Sequence, residues 1–291
     1  MSIISHNRFF VNALNCGRMI LMKDALIAEL ERGIDADRGE RTQHYFGICP
    51  GGYGEGDILL GIPSPYIRKC AKKYNKMPLP ELRDLLQSPV HEYRFAALAI
   101  MKDQYRRNSE TIIKLYIDNL DHINNWDLVD CFAPHLIGRW CLENHDEGIL
   151  AKLNTSPDLW RRRISVVAYM AFYRKHVLGN GLEMIDNRID DPEDLMHKAC
   201  GWMLRDIYSK VDKHLVESYL IDNYGRLSRT TLRYAIEHMP EEQRLRYLHG
   251  DFWCHALKIN ALPRITRRAA GWETRIKSAI RTKKPPKWVR T

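Results

Sequence analysis

Apolar residues recur three and four positions apart along most of the chain, whereas alternating runs rich in β-branched residues are nearly absent. This spacing gathers apolar side chains on one face of a helix, so it predicts an all-α protein built from short helices and tight polar turns. Proline or serine at a first helical turn marks where helices start. The predicted starts are Ser64-Pro65, Leu79-Pro80-Glu81, Ser109, Pro157-Asp158 before LWRRRISVVAYMAFYR, and Pro192-Glu193-Asp194.

Similar segments return along the chain at a nearly constant step. They are RFAALAIM from Arg94, VDCFAPHLI from Val129, RISVVAYM from Arg163, KACGWML from Lys198 and RYAIEHM from Arg233, with steps of 35, 34, 35 and 35 residues. A period of this length is typical of stacked helix pairs, since one pair cannot cover its own apolar face. The sequence therefore predicts a helical-repeat solenoid, an α-α superhelix whose second helices line a continuous concave surface.

The composition excludes several classes of protein. With 291 residues, 45% hydrophobic and 28% charged, the chain can bury a core, and its apolar runs predict neither a membrane nor a secreted protein but one of the cytoplasm or nucleoid. Seven cysteines without a CxxC favour reduced thiols over disulfides or a metal site. Motifs of zinc proteases, P-loop proteins and serine hydrolases are absent, and the glycine-rich run at residues 51–56 is interpreted as a flexible loop.

The net charge of +9 comes from residues 251–291. Residues 251–291 contain eleven Lys or Arg against two acids, whereas residues 1–250 contain 34 of each kind. Such a segment, with Trp272 and Trp288 among its cations, suits a polyanion such as nucleic acid, although a solvated tail without function has the same composition. The tail residues predicted to contact DNA are Arg267, Arg268, Lys283 and Lys284.

Four unusual residues share one arc when the repeats are superimposed. Taking about 100° per residue from each repeat start, Arg163 lies at 0°, Trp202 at about 40°, Trp126 at about 60° and Asp130 at about 100°. Two indoles, a carboxylate and a guanidinium on one wall would give a site with aromatic faces, a negative group and a phosphate anchor. The alternative is that both tryptophans are core residues and that Asp130 and Arg163 form an ordinary ion pair.

Five segments carry a family resemblance: YGEGDILLGIPSPYIRKCAKKY, LLQSPVHEYRFAALAIMKDQY, INNWDLVD, LWRRRISVV and GWMLRD. In them the chain resembles the AlkD-type DNA glycosylases, HEAT-like repeat proteins that remove alkylated bases from DNA. The resemblance implies a HEAT-like glycosylase domain with a concave DNA-binding face at residues 41–250, an N-terminal extension at residues 1–40 and a basic C-terminal extension at residues 251–291.

The resemblance also implies roles for individual residues. Trp126, Asp130 and Trp202 match the family's catalytic positions, Arg163 with its neighbour Arg162 matches the DNA-binding position, and an aromatic residue of the family's cleft falls near Tyr45. The implied protein excises cationic N3- or N7-alkylpurines from duplex DNA without metal or cofactor, and a monomer is expected because one chain suffices to form the cleft. Two alternatives stay open: a helical-repeat module that binds DNA or protein without catalysis, and a relative that recognises branched DNA or bulky adducts.

Overall fold

A computed structural model describes residues 21–251, and within that range the chain is all-helical, which confirms the predicted fold class. The helices are α1 (Met22–Leu30), α2 (Ala36–Thr42), α3 (Ser64–Lys73), α4 (Leu79–Leu86), α5 (His91–Gln104), α6 (Ser109–Asp118), α7 (Trp126–Phe132), α8 (Ile137–Asn144), α9 (Gly148–Asn154), α10 (Leu159–Val167), α11 (Met170–Tyr173), α12 (Gly181–Asp186), α13 (Asp194–Lys210), α14 (Lys213–Asp222), α15 (Arg229–Ala235) and α16 (Glu241–His249). No helix in the described range is long and apolar enough to cross a membrane.

The chain divides into two compact units after Ala235, and the first unit contains α1 to α15. In this unit α3, α5, α7, α10, α13 and α15 pack side by side in chain order, a set we call the central row. From α5 to α15 their first residues are 91, 126, 159, 194 and 229, which are 33 to 35 residues apart. The repeat period predicted from the sequence is therefore the spacing of the central row, and the flanking helices α4, α6, α9, α12 and α14 pack against it.

All five predicted helix starts are confirmed, and α10 shows the cause most directly. Its N-cap residue Asp158 accepts a hydrogen bond from the backbone N–H of Arg161 at 2.8 Å, which satisfies a donor that the helix itself leaves free. The helix expected over LWRRRISVVAYMAFYR is interrupted, because α10 ends at Val167 and α11 begins at Met170. Between them the backbone forms hydrogen bonds between residues three positions apart, as in a 3₁₀ helix. One example is the bond from Ala171 N–H to the Ala168 carbonyl.

The segment before α3 is fixed by buried polar residues of α5. The carboxylate of Glu92 accepts N–H bonds from Leu60, Gly61 and Ile62 at 2.7 to 3.2 Å. Next to it, Arg94 donates to Asp57 and to Asn124 in the loop before α7, with its side chain only 3% exposed. Because buried polar groups are costly unless they are paired, these bonds hold the loop that precedes α3 against the start of α7.

Candidate functional site

The side chains of Asp130 on α7 and Arg163 on α10 meet between two neighbouring helices of the central row. Arg163 Nε donates to Asp130 Oδ1 at 2.9 Å and Nη2 donates to Oδ2 at 2.8 Å, while Nη1 donates to the backbone carbonyl of Leu195 on α13. The Arg163 side chain is 5% exposed and that of Asp130 is 16% exposed. One guanidinium therefore ties three helices together and leaves part of the carboxylate open to solvent.

Burial and charge act against each other on the carboxyl group of Asp130. Burial raises its pKa above the ordinary value, the positive charge and hydrogen bonds of Arg163 oppose that rise, and the nearby charge of Asp127 adds to it. Both carboxylate oxygens accept from the same guanidinium, which is the arrangement of an ionised carboxylate. The site thus holds an oriented negative charge in surroundings that contain little water, where it acts strongly on a nearby positive charge.

Trp126 begins α7 one turn before Asp130, so both side chains lie on the same face of the helix. Its ring stacks on Phe46 with centroids 5.6 Å apart and an angle of 6° between the planes, and the exposed ring of Tyr45 meets it edge-on at 5.1 Å. Phe46 in turn lies against His91, 5.2 Å away. Trp126 stays half-buried, so it presents a rigid aromatic surface beside the carboxylate.

Tyr53 is a residue of this site that the sequence did not suggest. Its ring meets Trp160 of α10 edge-on at 5.1 Å, and its hydroxyl donates to the backbone carbonyl of Tyr45 at 3.2 Å. Burial raises the pKa of Tyr53, and a hydrogen bond with the side chain of Trp126 opposes that rise. Tyr53 therefore connects the loop, α7 and α10 at the edge of the indole.

The glycine-rich segment that carries Tyr53 is folded into successive turns. The N–H of Gly54 donates to the carbonyl of Gly47 at 3.0 Å, and Gly47 has φ +63°, a conformation that favours glycine. A Cβ atom on Gly47 would lie 2.6 Å from the Tyr53 ring, closer than any such contact allows. Within the run at residues 51–56, Gly52 is closely packed as well, because a Cβ atom there would lie 2.2 Å from the carbonyl oxygen of Gly47. The run interpreted as flexible from the sequence is therefore folded against Gly47, and its one aromatic residue was the signal that it could have a role.

Trp202 lies on the next helix of the central row, α13, two turns beyond Leu195 and therefore on a similar face of the helix. It is half-buried. Gly201 before it lets α13 and α15 approach closely, since a Cβ atom there would be 2.5 Å from the carbonyl oxygen of Thr231. The helix pairs α7 with α10 and α10 with α13 are each in contact, so the four predicted residues occupy three successive helices of the row.

The Arg162 side chain does not share the partners of Arg163, and its hydrogen bonds go to other groups of the protein. Its Nε donates to Asp191 at 2.8 Å, its Nη1 donates to the backbone carbonyls of Ser156 and Pro157, and the residue is 8% exposed. This geometry gives no support to the DNA contact expected of Arg162, because its hydrogen-bonding groups are used inside the protein. The other predicted DNA contacts, Arg267, Arg268, Lys283 and Lys284, lie outside the described residues.

A second acid in the same segment is also buried. Asp127 pairs with Nε2 of His91 at 2.9 Å, and its other oxygen accepts the backbone N–H of Leu128 at 2.8 Å. Neither residue stands out in the sequence, because their separation of 36 positions gives no local signal. Over residues 21–251 no group of His, Cys, Asp and Glu side chains is arranged to hold a metal ion.

Comparisons with known proteins bear on the family and the fold. A family model described as DNA alkylation repair enzyme matches residues 26–239. Among solved structures, the chain is similar to one titled "Predicted DNA alkylation repair enzyme from Enterococcus faecalis", with a TM-score of 0.58 and 17% sequence identity over 72% of this chain and 97% of that chain. At that identity the likeness supports the helical-repeat fold alone. No curated protein sequence matches the chain.

Proposed function

The chain belongs to the DNA alkylation repair enzyme family, and from that premise we propose that it is a monofunctional DNA glycosylase for cationic N3- and N7-alkylpurines. It removes bases such as 3-methyladenine and 7-methylguanine from duplex DNA and leaves an abasic site. The observation that carries the proposal is the carboxylate of Asp130, held at both oxygens by Arg163 and adjacent to the half-exposed ring of Trp126.

The chemistry needs a fixed negative charge more than it needs an acid. A purine alkylated at N3 or N7 is already cationic, so when its bond to the sugar breaks, the bonding electrons neutralise the departing base and no proton has to be supplied. The sugar develops the positive charge of an oxocarbenium ion, which an oriented carboxylate stabilises. Asp130 then orients the attacking water and accepts its proton as the oxygen bonds to the sugar carbon.

The aromatic residues contribute binding. The π faces of Trp126 and Trp202 attract the positive charge of the substrate nucleoside, an effect of about 0.5 to 2 kcal/mol per contact. Phe46 already covers one face of Trp126. Substrate therefore contacts the opposite face and the edges, where Tyr45 adds an exposed ring.

Arg163 acts in this proposal through Asp130 and not on the lesion itself, because its guanidinium is occupied by Asp130 and by the carbonyl of Leu195. Within residues 21–251 the charged groups that act on Asp130 are Arg163 and Asp127, neither of which is an amine for the Schiff-base chemistry that would add strand cleavage. One chain supplies the whole constellation, which fits a monomeric enzyme.

Release of free 7-methylguanine and 3-methyladenine from methylated duplex DNA tests the proposal, with the wild type, Asp130→Asn and Asp121→Asn compared in single-turnover conditions. Asp121 is a suitable control because its side chain is 81% exposed and pairs only with Arg161 on the surface. We expect Asp130→Asn to bind DNA while its excision rate falls about 10²- to 10³-fold, with Asp121→Asn unchanged. DNA binding without base release by the wild type would reject the enzyme, and equal rates for both variants would remove Asp130 from the chemistry.

A further inference from the structure

The two arginines that the sequence offered as phosphate anchors are both occupied inside the protein. Arg163 is bound to Asp130 and Leu195, and Arg162 is bound to Asp191. A protein that acts on duplex DNA still has to neutralise backbone phosphates, because these contacts supply most of its affinity and fix its register. The body of the protein should therefore carry other cations for this purpose.

Such cations line two adjoining hollows of about 440 and 540 Å³ on the central row, formed by α3, α5 and the segment from α7 into α8. Lys72, Lys102 and Asp103 line both hollows, so we treat them as one surface and call it the basic groove. Its cationic side chains are Arg68, Lys69, Lys72, Lys102, Arg106 and Arg139. Asp103 is the only carboxylate among the residues that line the two hollows.

Most of this charge has no partner within the described part of the chain. Arg139 pairs with Glu143 at 2.7 Å, and Arg68 lies over the ring of Phe95, 4.9 Å from its centroid. Among the ion pairs of residues 21–251, none involves the other four cations of the groove, namely Lys69, Lys72, Lys102 and Arg106. The groove therefore has a surplus of positive charge, while residues 1–250 as a whole have none.

A histidine in the wall of the groove responds to this potential. Burial lowers the pKa of His135 to about 4, and the positive charges of Lys102, Arg174, Arg68 and Arg139 contribute to that decrease. A proton on His135 is disfavoured first because the imidazole is buried and second because its surroundings are positive. The groove is thus suited to a negatively charged ligand.

The basic groove also adjoins the candidate site. Cys131 follows Asp130 directly on α7, and the Arg68 guanidinium lies beside its thiol. His135 lies four residues after Cys131, where the chain leaves α7. The groove and the candidate site are therefore connected through Arg68 and Cys131, close enough for one stretch of DNA backbone to reach both.

We propose that the basic groove binds the sugar-phosphate backbone of duplex DNA next to the altered nucleotide, with Lys72 and Lys102 as its central phosphate contacts. The cations are spread over two open hollows and several helices, which suits a repeating polyanion better than one small anion. The position of the lesion next to the groove rests on the proposed function, whereas the binding of backbone phosphates by the groove is independent of it.

The test uses the full-length chain and an unmodified fluorescent duplex, with affinity measured by anisotropy across a series of salt concentrations. The variant is Lys72→Gln with Lys102→Gln. Its control is Lys114→Gln with Lys152→Gln, which removes two positive charges from exposed residues of the flanking helices α6 and α9. Because each neutralised phosphate contributes about 0.9 to the slope of log affinity against log salt, we expect the groove variant to lower that slope by about 2 and the control to leave it unchanged.

Two further measurements, of displacement by phosphate and of excision, make the result specific. Inorganic phosphate at matched ionic strength should displace the duplex no more than chloride does, and preferential displacement by phosphate would instead assign the groove to a small anion. Excision by the control variant, Lys114→Gln with Lys152→Gln, should match the wild-type rate, since both residues are exposed and neither interacts with Asp130. Equal salt slopes for the two double variants would overturn the proposal. Undamaged DNA is the ligand, so a failure of base release leaves this test intact.

Discussion

Asp130 and Arg163 are joined at two points, with both carboxylate oxygens accepting from one guanidinium at 2.8 and 2.9 Å. Asp130 belongs to α7 and Arg163 to α10, so the orientation of the carboxylate is set by the packing of two neighbouring repeats. The partial exposure of Asp130 leaves room for a ligand on the side away from Arg163. Asp130 is thus oriented before any substrate arrives.

The pH dependence of excision should follow the ionisation of Asp130. Burial raises its pKa above the ordinary value, so the fraction of active carboxylate, and with it the rate, should decrease as the pH falls through that raised pKa and reach a plateau above it. Arg163→Gln removes the charge that opposes the rise, and we expect the acid limb of the profile to move to higher pH. Single-turnover rates, corrected for spontaneous base loss, measure both effects.

Arg161→Gln is the matched control for that variant, because Arg161 lies on the same helix but is exposed and pairs with Asp121 on the surface. Its profile should coincide with that of the wild type. If Arg163→Gln also kept the wild-type profile, the titrating group would not be Asp130, and the two-point contact would have only a structural role.

Removal of the Tyr53 hydroxyl should slow excision while the fold is kept. Tyr53→Phe retains the edge-on contact with Trp160 but loses the hydrogen bond to the carbonyl of Tyr45, which holds the loop beside the ring of Trp126. A net hydrogen bond contributes about 1 kcal/mol, so we expect a decrease of about fivefold in the single-turnover rate. Tyr66→Phe removes a comparable bond to the carbonyl of Glu29, remote from the site, and should leave the rate unchanged. Equal effects of the two variants on the rate would exclude a positioning role for Tyr53.

Arg162 should matter for stability and not for chemistry. Arg162→Gln leaves the buried carboxylate of Asp191 with the backbone N–H of Glu193 at 3.2 Å and the weaker contact to Arg188 at 3.7 Å. Loss of one partner of a buried pair lowers the free energy of unfolding by about 3 to 5 kcal/mol, whereas the exposed Arg161→Gln should change it by less than about 0.5 kcal/mol. Urea unfolding measures both. A stable Arg162→Gln protein with impaired DNA binding would restore the contact expected from the sequence.

The repeat and most helix starts could be predicted because both depend on local pattern. Segments a constant distance apart gave the spacing of the central row, and Asp158 marked the start of α10 through its own cap. The acidic partners of Arg162 and Arg163 could not be predicted, because consecutive residues of a helix point about 100° apart and these partners lie 29 and 33 positions away in sequence. The compact loop around Tyr53 was missed for a related reason, since glycine permits both flexible and tightly turned backbone.

The bond from Arg163 to Leu195 has a consequence for mutational surveys. Its acceptor is a backbone carbonyl, which every amino acid supplies. Replacement of Leu195 by alanine would preserve that bond, so an alanine scan would score the position by its apolar side chain alone and overlook one end of the bridge between α10 and α13. An ester linkage between Leu195 and Met196, introduced by chemical synthesis, would weaken that acceptor and also remove the Met196 N–H that donates to the Glu193 carbonyl at 2.9 Å. It would therefore test the backbone at this position, which side-chain replacement leaves unchanged.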